Sequence, residues 1–328
     1  MNSDKKSMSS SPSLAQIEAI YTSPLSDLVF KAQTTHRHHH NANTIQKSVL
    51  YSIKTGGCKE DCAYCAQSKH YQTGVKPTRL TPLVETIAKA RVAKNSGASR
   101  FCMGASGTRV QNGKEFETIL EMVSEVKKLG LESCATLGML TLDQAKRLKK
   151  AGLDYYNHNI DTSRSHYKKI ITTRSFEERI ETLRNVRKAG LNICTGGILG
   201  MGETNQDRIE FIAELVKFSP PPESITINRL VPIAGTPLAK VPPIEWDALV
   251  RTIATLRILA PVSAIRLSAG RETMSESLQF LCFMAGANSI FSGSKLLTTP
   301  NRTESADTAL FEKLGLAPQE TPLHNQVS

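Results

Sequence analysis

Apolar positions recur along this chain with two alternating periods. Stretches such as "FETILEMVSEVKKL" set Ile119, Met122, Val123 and Val126 on one face at the 3.6-residue period of a helix. Short apolar runs with the look of strands follow them. Three segments repeat one join: "EVKKLGLESCATLG", "RLKKAGLDYYNHNI" and "NVRKAGLNICTGGI" each read as a basic helix end, a glycine suited to the left-handed C′ position, and a strand. A fourth, "RVAKNSGASRFCMG", varies the theme. Further strands are expected at 48–55, 224–230, 263–269 and 288–292, with helices over "ETNQDRIEFIAELVKF", "EWDALVRTIATLRIL" and "ETMSESLQFLCFMAG". Eight strands alternating with helices predict an α/β fold, a single (β/α)8 TIM-type barrel with its chemistry at the C-terminal mouth. An open doubly wound sheet shares the alternation, because periodicity does not show closure, but no Gly-rich dinucleotide fingerprint follows the first strand. The expected organisation is a polar, flexible extension with a helical part over 1–35, the barrel over 36–315, and a flexible tail over 316–328.

Composition narrows the partners. With 328 residues, 40% hydrophobic and 22% charged, the chain can bury a full core, and no run approaches the length of a membrane span. The net charge of +11 would admit nucleic acid. The basic residues, however, gather in "VKKLG", "RLKKAG" and "NVRKAG", where they complement helix dipoles, so no nucleic-acid partner is expected. Seven cysteines are too sparse for a disulfide scaffold, and the first twenty residues lack an apolar signal core, which points to the reducing cytosol. The opening "MNSDKKSMSSSPS" reads as disordered; Asp4, Glu18, Asp27 and the lack of arginine argue against a transit peptide.

The candidate chemistry begins after the first strand, in "SIKTGGCKEDCAYCAQS". Cys58, Cys62 and Cys65 stand within eight positions, one ligand short of a closed zinc site. Zinc completed by His70 would need all four ligands on a single short loop, and free thiols with no role are the blandest reading. A cubane iron–sulfur cluster held by three thiolates would leave one iron free to bind something else. The stretch "GGILGMGE" fits either a backbone that approaches a flat ring, with Ile198 as the apolar face, or a plain strand turning into a helix.

Three more cysteines lie inside expected strands: Cys102, Cys134 and Cys194, in strands two, three and five. Period-two alternation places Cys102 with Arg100 and Gly104, and Cys134 with Thr136. If those faces point inward, three thiols converge in a lumen that branched apolar side chains normally fill. Asn157, Asn159 and Asp161 share a face, joined by Thr226, Asn228, Arg266 and Ser268 from later strands. Unpartnered buried polar groups cost on the order of 1–3 kcal/mol each, so such a set implies a ligand, water or metal. His158 then faces the helices as a satisfied core histidine, His38, His39 and His40 form a surface run, and Cys282 is core.

The loop spacing, with Tyr64 before the last cysteine, resembles the cluster motif of radical S-adenosylmethionine enzymes. That resemblance implies a [4Fe–4S] cluster on Cys58, Cys62 and Cys65 whose open iron chelates the amino and carboxylate groups of S-adenosyl-L-methionine, cleaved on reduction to a 5′-deoxyadenosyl radical. Gly196, Ile198, Gly200 and Glu203 are similar to that superfamily's G-x-I-x-G-x-x-E strand, which lies against the adenine. From about 36 to 315 the chain resembles the biotin synthase family, in stretches including "SRFCMGA", "YYNHNIDTS", "IITTRS", "NRLVPIAGTPL", "IRLSAGRE" and "KLLTTP". The resemblance implies a sulfurtransferase that forms biotin from dethiobiotin. It implies a [2Fe–2S] sulfur donor on Cys102, Cys134, Cys194 and Arg266, inside the barrel. It places Asn157, Asn159 and Asn228 near dethiobiotin or the nucleoside, Asp161 at the ribose and Tyr64 on the cofactor side. A cytoplasmic homodimer supplied by an electron donor such as flavodoxin or ferredoxin is also implied. Guanidinium offers no acceptor, so chemistry alone would give Arg266 a charge-pairing role with cluster sulfur. The loop "SGTRVQNG" and Ser292 and Ser294 depart from the family pattern and put substrate-edge contacts in question. A radical enzyme acting on tRNA is the rival, but little chain follows the barrel to form an RNA module.

Overall fold

The computed structural model describes residues 11–319. Two helices, α1 (Leu14–Tyr21) and α2 (Leu25–His39), precede the first strand. Eight parallel strands follow: β1 (Thr44–Lys54), β2 (Arg100–Ala105), β3 (Glu132–Thr136), β4 (Tyr155–Asn157), β5 (Asn192–Leu199), β6 (Ser224–Arg229), β7 (Ala264–Leu267) and β8 (Ser289–Ser292). Each pairs with the next, and β8 returns to β1 with Gln46 opposite Ser289, so the sheet closes. Closure decides between the barrel and the open sheet.

Between successive strands run α3 (Leu83–Asn95), α4 (Lys114–Lys128), α5 (Leu142–Lys150), the pair α6 (Arg164–Ile170) and α7 (Phe176–Lys188), α8 (Asn205–Val216), α9 (Trp246–Leu259) and α10 (Glu276–Met284). The repeated join behaves as its sequence predicts. Gly130, Gly152 and Gly190 take φ of +79°, +98° and +75°, a turn that a side chain would strain. At the other ends, Thr141 with Gln144, Ser175 with Glu178 and Thr204 with Asp207 form capping boxes. Outward strand residues such as Phe101, Met103, Ile193, Ile225 and Ile227 are fully buried against the helices. Each is worth about 1.5–3 kcal/mol of apolar burial. No helix among the described residues is long and apolar enough to cross a membrane.

The ends of the chain depart from expectation. The N-terminal extension has its expected helical part, but α1 and α2 are packed rather than flexible, burying Ile17, Tyr21, Leu28 and Ala32 against the barrel's helices. Residues 1–10, part of the expected flexible segment, lie outside the described residues. The expected tail over 316–328 starts as a strand: β11 (Ala317–Pro318) pairs in parallel with Thr44 and Ile45. It is led there by α11 (Glu304–Leu314), and the remainder from 320 lies outside the described residues. A short hairpin, β9 (Lys295–Leu296) with β10 (Thr299–Pro300), folds between β8 and α11.

Candidate active site

The three-cysteine loop follows β1 and folds back on itself. The Cys58 amide donates to the Gln67 carbonyl (2.9 Å) and the Lys69 amide to the Cys58 carbonyl (2.8 Å). Asp61 ties the loop to the segment before α7, accepting from the Thr172 and Thr173 amides at 2.9 and 3.1 Å. Burial raises the Asp61 carboxyl, but the Thr172 and Thr173 donors outweigh it and hold the group down to about 2. So anchored, Cys58, Cys62 and Cys65 line a cavity of about 170 Å³ together with Tyr64, Asp161, Arg174 and Arg179.

Burial pushes the Cys62 thiol up to about 12 and Cys65 up to about 11, so loading a metal must displace protons. Arg174 is 8% exposed beside this space; its Nε lies 3.8 Å from Glu60, and neither Nε nor Nη1 makes a hydrogen bond among the described residues. His70 is exposed, hydrogen-bonds the Lys59 carbonyl at 2.9 Å and is absent from the lining, so the loop offers three thiols without an imidazole. Among the described residues no three His, Cys, Asp or Glu side chains are placed to hold a single metal ion. A donor set of three thiols around a cavity, with buried guanidinium N–H groups that make no hydrogen bond, fits a polynuclear anionic cluster instead.

The glycine-rich strand sits on β5. A Cβ on Gly196 would lie 1.9 Å from the Thr226 carbonyl oxygen of β6, so close strand packing requires this glycine, where the sequence suggested ligand approach. Gly200 turns the chain at φ +97°. Glu203, 7% exposed, accepts from the Gly200 and Met201 amides (2.9 and 2.7 Å) and from Arg208 Nε (3.0 Å); it holds the turn. Asp161 takes φ +68° and pairs with the backbone at Gly197. Its Oδ2 accepts from Tyr64 (2.9 Å) and from Arg179 (2.5 Å).

The inner thiols converge. Cys102 and Cys134 are direct neighbours on β2 and β3, and Cys194 of β5 faces Asn157 of β4. All three are at most 2% exposed, in a group apart from the main core with Phe291 and Leu296. The Cys134 thiol is raised because it donates to both Cys102 and Cys194. The bond from Cys134 holds Cys194 well down against its burial, helped by the charges of Arg266 and Arg100. Burial opposes the same fall at Cys102, and the Cys134 bond and these two guanidinium groups prevail.

Arg266 is fully buried, with no carboxylate partner among the described residues. Its Nε donates to Ser289 Oγ (3.0 Å) and Nη2 to Ser48 Oγ (3.0 Å) and Gln46 Oε1 (3.3 Å), while Nη1 reaches Cys194 Sγ at 3.9 Å. Its plane covers Phe291 at 4.6 Å. Arg100, on the same face as Cys102, is instead paired with Glu132 at 3.0 Å.

A cavity of about 280 Å³ holds the three thiols, Arg266, Asn157, Asn159, Asn228 and Leu297. Asn157 Nδ2 donates to Asn159 Oδ1 (3.2 Å) and Cys194 Sγ (3.4 Å), and Thr226 donates to Asn159 (2.9 Å). Asn228 lines this cavity while its amide also cross-links strands, donating to the Gly197 carbonyl (2.9 Å) and accepting from the Ala269 amide (3.1 Å). His158 is buried as expected, yet its Nε2 has no hydrogen-bond partner among the described residues, and burial holds its imidazole well below the usual range. Sequence reasoning missed Arg174 and Arg179, which sit outside any strand alternation, and the hairpin leucines, whose apolar pair carried no period.

Tyr64 and Cys65 border the loop cavity, the thiol cavity and a third of about 170 Å³ lined by Ile198, Asn228, Leu230 and Thr299. Two thiol sets whose cavities share Tyr64, Cys65, Thr136, Asn157 and Asn159 on a closed parallel barrel fit an iron–sulfur enzyme. Residues 52–216 match the family described as Radical SAM superfamily, and residues 226–317 the Biotin and Thiamin Synthesis associated domain. The chain is 56% identical to a biotin synthase of Legionella pneumophila (strain Corby), over 93% of this chain and 96% of that one. It is 57% identical to a biotin synthase of Nitrosococcus oceani, over 93% and 88%. The crystal structure of methylornithine synthase shares the fold at a TM-score of 0.79 and 18% identity, covering 94% of each chain. The chain belongs to the biotin synthase family of radical SAM enzymes.

Proposed function

We propose that this enzyme inserts sulfur into dethiobiotin to form biotin, with Cys58, Cys62 and Cys65 holding a [4Fe–4S] cluster and Cys102, Cys134, Cys194 and Arg266 holding a [2Fe–2S] cluster. The observation that carries the reading is the pair of thiol sets whose cavities meet at Tyr64 and Cys65. S-adenosyl-L-methionine on the loop cluster supplies, once bound and reduced, the hydrogen-removing chemistry that unactivated C–H bonds require.

The chain's own residues do the rest. Tyr64, Asp161 and Arg179 brace the wall between the cofactor and the lumen. Asn159 and Asp161, with Gly196, Ile198 and the turn held by Glu203, border the nucleoside, and Asn157, Asn159 and Asn228 border dethiobiotin. Leu296 and Phe291, 5% and 6% exposed, keep water from the inner thiols. Arg266 keeps a fixed positive charge beside sulfur, in a site too dry to screen it. Electrons come from an external carrier such as flavodoxin or ferredoxin, and a cytoplasmic homodimer is the assembly we expect. Anaerobic incubation with dethiobiotin, reductant and S-adenosyl-L-methionine, followed by mass analysis, tests this; biotin at one sulfur per molecule supports it, and its absence from cluster-replete enzyme rejects it.

A further inference from the structure

The loop that carries the outer cysteines is unusually basic. Residues 54–79 hold Lys54, Lys59, Lys69, Lys76 and Arg79 against only Glu60 and Asp61. Neither acid offsets the exposed charge. Glu60 is 4% exposed and accepts from Thr173, while Asp61 is tied to Thr172 and Thr173. Lys54 is matched by Glu115 at 2.7 Å, but Lys59, Lys69, Lys76 and Arg79 are exposed, and Arg109 joins them from the loop after β2.

Lys54, Lys59 and Arg109 line one cleft, with Glu115 paired to Lys54, and Lys69, Lys76 and Arg79 lie on the same loop outside its lining. The cleft measures about 510 Å³ and is also lined by Gly56 and Gly57, and by apolar Leu80 and Phe116. The Lys76 carbonyl packs 3.1 Å from the Cβ position of Gly56, and the Lys69 amide bonds the Cys58 carbonyl. Ala105, Ser106 and Gly107 line this cleft and also the cavity of Cys58, Cys62 and Cys65. An occupant of the cleft is therefore separated from the outer thiols by one layer of chain.

We infer that this basic cleft is the docking face for an acidic one-electron donor protein. The inference rests on the outer thiols holding the reducible cluster proposed above. The transfer is simple in its balance: the docked carrier is oxidised by one electron, the loop cluster is reduced by one, and no bond is made or broken. Opposite charge on the two faces speeds encounter and fixes orientation, and salt screens it.

The test mixes anaerobic holoenzyme with a reduced bacterial flavodoxin as the acidic probe. Bleaching of the cluster absorption is followed at low and high salt, and complex formation is measured separately by calorimetry. Dithionite replaces flavodoxin in a parallel series. The double variant Lys59→Glu, Arg109→Glu should slow reduction by flavodoxin about tenfold or more at low salt, as loss of steering does. It should weaken the calorimetric signal, lose most of the salt dependence, and keep wild-type bleaching with dithionite. The milder pair Lys59→Gln, Arg109→Gln should fall between, which guards against misfolding of the reversed variant. Lys149→Glu, Lys188→Glu, with the same charge change at exposed helix ends on the opposite side of the barrel, should behave as wild type. Flavodoxin rates unchanged in the Lys59 and Arg109 variants, or lowered equally by the distal pair, would overturn the docking face. A wild-type enzyme that dithionite cannot bleach would overturn the cluster reading beneath it.

Discussion

Arg266 shows what one residue can decide. Its guanidinium reaches two serines and a glutamine, none of them charged, so its positive charge is unspent on protein carboxylates and stands beside Cys194. Arg266→Met should remove the donor to Ser48 and Ser289 and leave Gln46 Oε1 with only its bond from Ser289, costing about 1–3 kcal/mol, read as a lowered unfolding midpoint. It should also change the inner cluster's visible spectrum while the loop cluster still binds S-adenosyl-L-methionine. An unaltered spectrum would remove Arg266 from the ligand set. Cys282 is the control: it is fully buried and lines neither thiol cavity, burial pushes its thiol up to about 12, and Cys282→Ala should lose about 1 kcal/mol with all iron retained. Cysteine identity and spacing made both thiol sets legible in the sequence. Arg174 was not, because its value lies in buried N–H groups without a hydrogen bond, an arrangement that only folding creates.

Among the elements, the β9–β10 hairpin carries the least obvious function. It drops Leu296 onto the inner thiols and sets Leu297, at φ +50°, into the lumen. A Cβ on Gly104 would come within 2.9 Å of Leu297 Cδ2, so the glycine on β2 is the notch that receives this leucine. The hairpin's base is fixed by Asn301, whose Nδ2 bonds the Phe291 and Gly293 carbonyls. Gly104→Ala should therefore lift the hairpin, seen as faster amide exchange over 295–300 and a raised KM for dethiobiotin. Adding Leu297→Ala should restore slow exchange. If exchange stays slow in Gly104→Ala alone, the notch has no such role. Strands and helices were legible from period alone, and their joins from glycine after a basic helix end. The hairpin was not, since a two-residue strand has no period to read.

Over the whole molecule, the sequence placed eight strands in order but could not show that β8 meets β1, nor that the N-terminal helices dock. That docking has a titratable joint. His36 stacks on His40 at 5.2 Å, and His40 contacts buried Arg257, Asn288 and the Pro261 carbonyl, so the histidine run is only partly a surface feature. Burial first, then the Arg257 charge, lowers both imidazoles to about 4. The unfolded chain thus binds more protons than the folded one between the ordinary value near 6.5 and about 4, and stability must fall as pH drops through that window. Thermal unfolding should show this loss, and His36→Gln, His40→Gln should flatten it; an equal slope in the variant would contradict the assignment. The central claim is that radical source and sulfur source are separate sites on one barrel. Its most direct test is a single anaerobic turnover of wild type and Cys194→Ala, with 5′-deoxyadenosine and biotin measured in the same tube. Cys194→Ala should bind S-adenosyl-L-methionine and release 5′-deoxyadenosine but form no biotin, whereas a wild-type yield of biotin from that variant would mean the sulfur comes from elsewhere.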